Sequence, residues 1–359
     1  MEQHTGILQC PHTGGNLSLV KDISQLKDAL NQDIPGISAM DACLVNDSRS
    51  WLYPVMNGVI FLLPHYAIAL TPKAANSKGK MPYDRERVFD YYNEVSYHQV
   101  EGKAIYSDSS KWVDYREVSK EYIRTCFRRA GKYLDGAGQY YLDVASGPIG
   151  LEEYIDLSQN YQVRICIDIS WKALEKAREN YPREGLFICG DIANIPLKDD
   201  VCDAVLSQHT LYHVPRKEQA TAVRELYRVA KPGGRIAIVY SWFYYSLFMN
   251  IALLPIQLYR VARYFLSLWL SPFFRGKPRL YFAVHSPFWF KNLNLPGKME
   301  FYCWRSVNKY FLNTYIHKGL GGEKILRWLL RMEDRYPRFF GWVGDYPVVV
   351  IDKGVKSKE

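Results

Sequence analysis

The chain has 359 residues and carries 46 Lys and Arg against 37 Asp and Glu, a formal charge of +9. Its 48% hydrophobic and 23% charged content excludes a disordered or collagen-like chain, and the length allows two domains or one large α/β domain with an appendage. The charge is local. Residues 242–359 hold 18 basic and 7 acidic side chains, net +11, which leaves −2 for residues 1–241. Aromatic residues make up 15% and are densest in that same basic part, so aromatic binding surfaces are expected there.

Taken in chain order, residues 1–70 read as a small β module. It has a Gly-rich turn at Cys10–Leu17 and an apolar stretch, LYPVMNGVIFLLP, with an Asn57-Gly58 hairpin signal. No basic region followed by an apolar stretch opens the chain, which predicts a cytoplasmic protein. Residues 71–83 are polar and punctuated by Gly and Pro, and read as a linker. A mainly helical pattern over 84–133 gives way to short apolar strands alternating with helices of about ten residues. That alternation predicts an α/β, doubly wound, mostly parallel sheet over 84–241. The seven cysteines form no CxxC pair and read as buried free thiols.

The loops of this sheet carry the chemistry. Asp143-Val-Ala145-Ser146-Gly147-Pro-Ile-Gly150 stands where the first strand meets its helix, and glycines there let the backbone approach a ligand. The second strand ends at Asp168-Ile169, an acid suited to accepting from two ribose hydroxyls. The third ends at Gly190-Asp191-Ile192, where a carboxylate can accept from an exocyclic amino group.

These residues, with Leu-Tyr-Arg228-Val-Ala-Lys231-Pro-Gly-Gly234 before a fifth strand, resemble the class I S-adenosylmethionine-dependent methyltransferases, especially the ubiquinone and menaquinone branch, over about residues 84–242. The resemblance implies a seven-stranded Rossmann-like sheet and S-adenosylmethionine as cofactor. It places Asp143, Ser146 and Gly147 at the methionine end, Asp168 at the ribose, and Asp191 with Ile192 at the adenine, and Ala145 and Ile169 join the same cofactor set. Ala145 departs from the commoner DxGxGxG and leaves less room beside the cofactor. The segment Ser207–Val214 is where this family faces cofactor and acceptor, which adds Gln208 to the cofactor set. His209 and His213, spaced i, i+4, are the candidate catalytic bases.

Residues 10–17 and 52–64 are also similar to a zinc-ribbon-like module that precedes some rRNA methyltransferases. Here Cys10, His12 and Cys43 supply at most three of the four ligands that structural zinc needs, so a metal-free module is expected.

Residues 242–340 read as a helical, aromatic insertion after the fifth strand, and 341–359 as a final strand and tail. Ser241–Tyr259 is uncharged for 19 residues but is broken by Asn250, Pro255 and Gln257, and the chain must return to a strand at Tyr346–Ile351, so a membrane span is not expected. The insertion instead reads as a roof over the acceptor and a surface apposed to the inner face of a membrane, with Arg260, Arg263, Arg275, Lys277 and Arg279 toward lipid phosphates. The function expected is methyl transfer to a small-molecule, lipid-linked or glycan acceptor. RNA base methylation and a non-catalytic cofactor-binding partner are the alternatives, and the apolar saturation of the basic part argues against nucleic acid.

Overall fold

The computed structural model describes residues 1–22, 40–77, 79, 81–94, 97–100, 103–106, 112–259 and 280–354. Its strands in chain order are β1 Leu17–Val20, β2 Ala42–Asn46, β3 Trp51–Met56, β4 Val59–Phe61, β5 Ile68–Ala69, β6 Tyr97–Val100, β7 Lys103–Tyr106, β8 Gly138–Val144, β9 Tyr161–Asp168, β10 Gly185–Cys189, β11 Cys202–Gln208, β12 Ala230–Val239, β13 Lys298–Arg305 and β14 Tyr346–Asp352. Twelve of them form one sheet in the order β1-β2-β3-β4-β10-β9-β8-β11-β12-β14-β13, with β5 beside β3.

From β10 to β12 every pairing is parallel, and these strands are nearly continuous apolar runs because both faces are covered. Alternate residues feed different cores. Tyr140, Leu142 and Val144 of β8 join one cluster with Ala222, Val223 and Leu226 of the helix Gln219–Val229. Tyr141 joins the opposite cluster with Tyr122, Ile123 and Cys126 of the helix Glu117–Arg129 and with Leu326 and Leu329 of the helix Gly322–Arg335. The parallel strands therefore all deliver their carboxyl ends to one edge, where a crevice for a ligand opens.

Several elements differ from the sequence-based expectation. Residues 1–70 extend the central sheet instead of standing apart: β1 to β4 form an antiparallel meander, and β4 pairs parallel with β10. Its β3–β4 turn is the Asn57-Gly58 hairpin, with φ of 50° and 70°. Cys10 and Cys43 lie in separate clusters on opposite faces of this meander, so they cannot share a metal.

The segment read as a linker contains a helix, Pro72–Ser77, started by Pro at its first position and by Ala74 N–H donating to Thr71 Oγ1 at 3.3 Å. The stretch read as helical over 84–133 is interrupted by the β6–β7 hairpin, whose Tyr97 and Tyr106 rings stack at 5.3 Å. The insertion read as helical contains β13, because residues 298–305 pair antiparallel with β14. The basic residues Arg260, Arg263, Arg275, Lys277 and Arg279 lie outside the described residues. Among the described residues, no helix is long and apolar enough to cross a membrane.

Candidate active site

The turn after β8 is built under strain. Ala145, Gly147 and Ile149 all hold left-handed φ, at 58°, 58° and 48°, while Ala145 N–H and Ser146 N–H both donate to Ile167 O. Such a conformation costs an L-residue roughly 1–2 kcal/mol and suits glycine, so the strain is retained where it shapes a ligand site. A side chain at Gly147 would approach the Tyr106 ring at 3.2 Å and narrow the crevice. Replacing Ala145 by Gly removes part of this strain. The Ala145→Gly protein is expected to melt about 2 °C higher in calorimetry, for a net gain of about 1 kcal/mol. A lower melting temperature would count against a strained turn.

Asp168 is buried at the end of β9. Its Oδ2 accepts from Gly147 N at 2.9 Å and its Oδ1 from Ser170 N at 2.8 Å, which ties the second strand end to the glycine turn. Burial pushes this carboxyl up to about 6, with the two backbone donors opposing.

Asp143 and Asp191, both expected at the cofactor, already have partners in the protein. The Asp143 carboxylate pairs with the fully buried Arg164. Asp191 accepts from Ala193 N at 2.9 Å and pairs with Arg85 Nη1 at 2.5 Å, and Arg85 also pairs with Glu218. Arg85, on the helix Tyr83–Glu94, thus bridges two carboxylates at the cavity wall. Nothing in its local sequence signals this, because both partners are distant in the chain.

All the predicted site residues come together in the wall of one cavity of about 360 Å³. Asp143, Ala145, Ser146, Gly147, Asp168, Ile169, Asp191, Ile192 and Gln208 are joined there by His209 and His213. The remaining wall includes the aromatic Tyr92, Tyr106, Tyr212, Phe282, Trp304 and Tyr346 and the charged Arg85, Arg305, Lys309 and Asp345.

The two histidines are not equivalent. His209 has φ of 56°, and its ring meets Trp304 edge-on at 4.5 Å and Tyr346 at 5.5 Å. Burial among protein groups, with the charges of Arg305 and His213, pushes it down to about 3, so it is neutral at physiological pH. His213 lies in the short 3-10 turn Leu211–His213, and its Nδ1 lies 2.7 Å from Tyr281 O. A carbonyl only accepts, so Nδ1 carries a hydrogen, and in the neutral ring the lone pair is on Nε2. The chain over this turn is pinned by Ala283 N–H donating to Tyr212 O at 2.8 Å and by Gln219 Nε2 donating to Ala283 O at 2.8 Å.

Residues 142–238, which span the glycine turn, both following strand ends and the histidine segment, match the family model described as a methyltransferase domain. This segment is a methyltransferase domain. S-adenosylmethionine is its cofactor, and the wall fits that molecule: the buried Asp168 carboxylate suits hydroxyl donors, Ile169 and Ile192 offer apolar faces, and Gln208 keeps a buried Oε1 without a hydrogen-bond partner.

The chain is 29% identical over 181 residues to the methyltransferase GfsG of Streptomyces halstedii, covering 46% of this chain and 61% of that one. It is 42% identical over 112 residues to a demethylmenaquinone methyltransferase of Streptomyces avermitilis, covering 31% and 46%. The chain thus spans less than two thirds of either relative. A solved S-adenosylmethionine-dependent methyltransferase from Archaeoglobus fulgidus aligns over 65% of this chain and 94% of its own length, at 16% identity and a TM-score of 0.38.

Proposed function

We propose that the whole chain transfers a methyl group from S-adenosylmethionine to a small acceptor with a flat, apolar body, of the lipid-linked kind. The observation that carries this reading is one cavity lined both by the polar strand ends and by twelve aromatic side chains. One relative is named for demethylmenaquinone, and an acceptor of that sort suits an aromatic wall.

When bound, S-adenosylmethionine supplies an electrophilic methyl group for an in-line displacement, so placement of the acceptor supplies much of the catalysis. Asp168 holds hydroxyls of the cofactor and fixes the glycine turn. The aromatic wall orients the acceptor and excludes water. His213, with its lone pair on Nε2, accepts the proton that an acceptor hydroxyl or amine must lose. His209, neutral and packed on Trp304 and Tyr346, is a wall group in this reading and not a base.

In the same reading, residues 84–241 form the cofactor-binding core and 242–340 cover the acceptor. The exposed Leu247, Ile251, Leu254 and Leu258, at helical spacing, support peripheral contact of that cover with a membrane.

Incubation of the purified chain with cell extract and methyl-labelled S-adenosylmethionine is expected to put label into the lipid or small-molecule fraction. Label confined to RNA, or in no fraction, would overturn the proposal.

A further inference from the structure

Among the described residues, three arginines are almost completely buried: Arg129, Arg164 and Arg305, at 2%, 0% and 2% exposure. The first two have buried carboxylate partners. Arg129 Nη1 meets Glu333 Oε2 at 2.5 Å, and Arg164 pairs with Asp143. Arg305 differs. Among the described residues no carboxylate forms an ion pair with it, and its Nε and Nη1 have no hydrogen-bond partner, as is also true of Arg129 Nε and Arg164 Nε. The indole Nε1 of the adjacent Trp304 also lacks an acceptor.

The neighbouring carboxylate does not serve this guanidinium directly. Asp345 Oδ1 accepts from Ser241 Oγ at 3.0 Å and Phe243 N at 3.1 Å, and its Oδ2 accepts from Asn308 Nδ2 at 2.8 Å. The guanidinium instead lies over the Tyr346 ring at 4.5 Å and the Trp304 ring at 5.2 Å, and it also donates a hydrogen bond to the Tyr346 hydroxyl. The ring faces attract a cation but accept no in-plane N–H hydrogen bonds. An arginine stays charged when buried, and a buried charge without an anionic partner is destabilising. All these groups stand in the wall of the active-site cavity. An acceptor oxygen attached to a flat apolar body would satisfy these donors and pack on the neighbouring rings.

We propose that Arg305, with Trp304 Nε1 beside it, binds the carboxylate of an acceptor whose flat apolar body lies against the Trp304, His209 and Tyr346 rings. This inference rests on the methyltransferase reading and narrows its acceptor to an anionic one. Arg305 is a substrate-binding residue in this scheme.

The test compares two shape-matched probes, 2-naphthoate and 2-naphthamide, titrated into the full chain with S-adenosylhomocysteine present and followed by tryptophan fluorescence. The carboxylate is expected to bind about tenfold more tightly than the amide, since a hydrogen bond to a charged group contributes at least a factor of that order. Arg305→Met should abolish the preference, and Arg305→Lys should keep part of it. Both variants should melt no lower than the parent and keep its affinity for S-adenosylhomocysteine. The inference is overturned by equal affinities, by no binding of 2-naphthoate, or by a preference that survives in Arg305→Met. Failure of S-adenosylhomocysteine to bind the parent protein would instead sink the methyltransferase reading, and the probe comparison would then be read without it.

Discussion

Asp168→Asn is expected to weaken S-adenosylhomocysteine binding by about 10- to 100-fold in titration calorimetry. A carboxylate accepting from hydroxyl donors contributes about 1.5–3 kcal/mol, and an amide offers one weaker oxygen. The amide also cannot accept from both Gly147 N and Ser170 N, which together hold the turn. Because burial pushes the Asp168 carboxyl up to about 6, affinity of the parent protein is expected to fall as pH drops through that value, and the variant should lose this dependence.

Stability moves the other way. The folded value lies above the ordinary aspartate value of about 3.9, so between these limits the folded state binds more protons than the unfolded state. The group's contribution is therefore present below about pH 4 and is lost as pH rises through about 6. Thermal melts of parent and variant at pH 4.5 and 7.5 should show the parent losing ground to the variant at the higher pH. Unchanged affinity in Asp168→Asn would remove the carboxylate from cofactor binding.

His213→Ala is expected to lower turnover by about 10²- to 10⁴-fold while leaving S-adenosylhomocysteine affinity within twofold, because a general base acts on the chemical step and not on the cofactor. His209→Asn provides the contrast. His209 is pushed down to about 3, so its ring stays neutral across the working pH range, and Asn tolerates the left-handed φ that position 209 requires. Its pH–rate profile should keep the parent's shape, with turnover reduced only as far as the Trp304 and Tyr346 packing is loosened. The assay is label incorporated into the acceptor fraction across pH 6 to 9. A lost pH dependence in His209→Asn, or full activity in His213→Ala, would reverse these assignments.

The glycine turn, the acids at the next two strand ends and the parallel βα alternation could all be read from residues 138–239. Each depends on chemistry within a few residues of itself, such as a βα turn that needs backbone freedom or a central strand that needs apolar side chains on both faces. The Asn57-Gly58 hairpin was legible for the same reason. The short helix after Thr71-Pro72 carried a local start signal that was outweighed by the polar composition around it.

What only the tertiary structure decided is the state of the charged groups. Arg164 removes the charge of Asp143 from play across 21 residues, and Arg85 reaches Asp191 and Glu218 from a helix more than a hundred residues away. Antiparallel pairing with β14 converts residues 298–305 from an expected helix into a strand and brings Arg305 to the cavity wall beside His209. Likewise, two histidines four residues apart look equivalent in the chain, yet one packs against Trp304 and Tyr346 while the other donates to Tyr281 O. Local spacing determines which side chains stand at a strand end. Burial and long-range partners determine whether those side chains are charged, paired or available, and these are set only when distant segments meet.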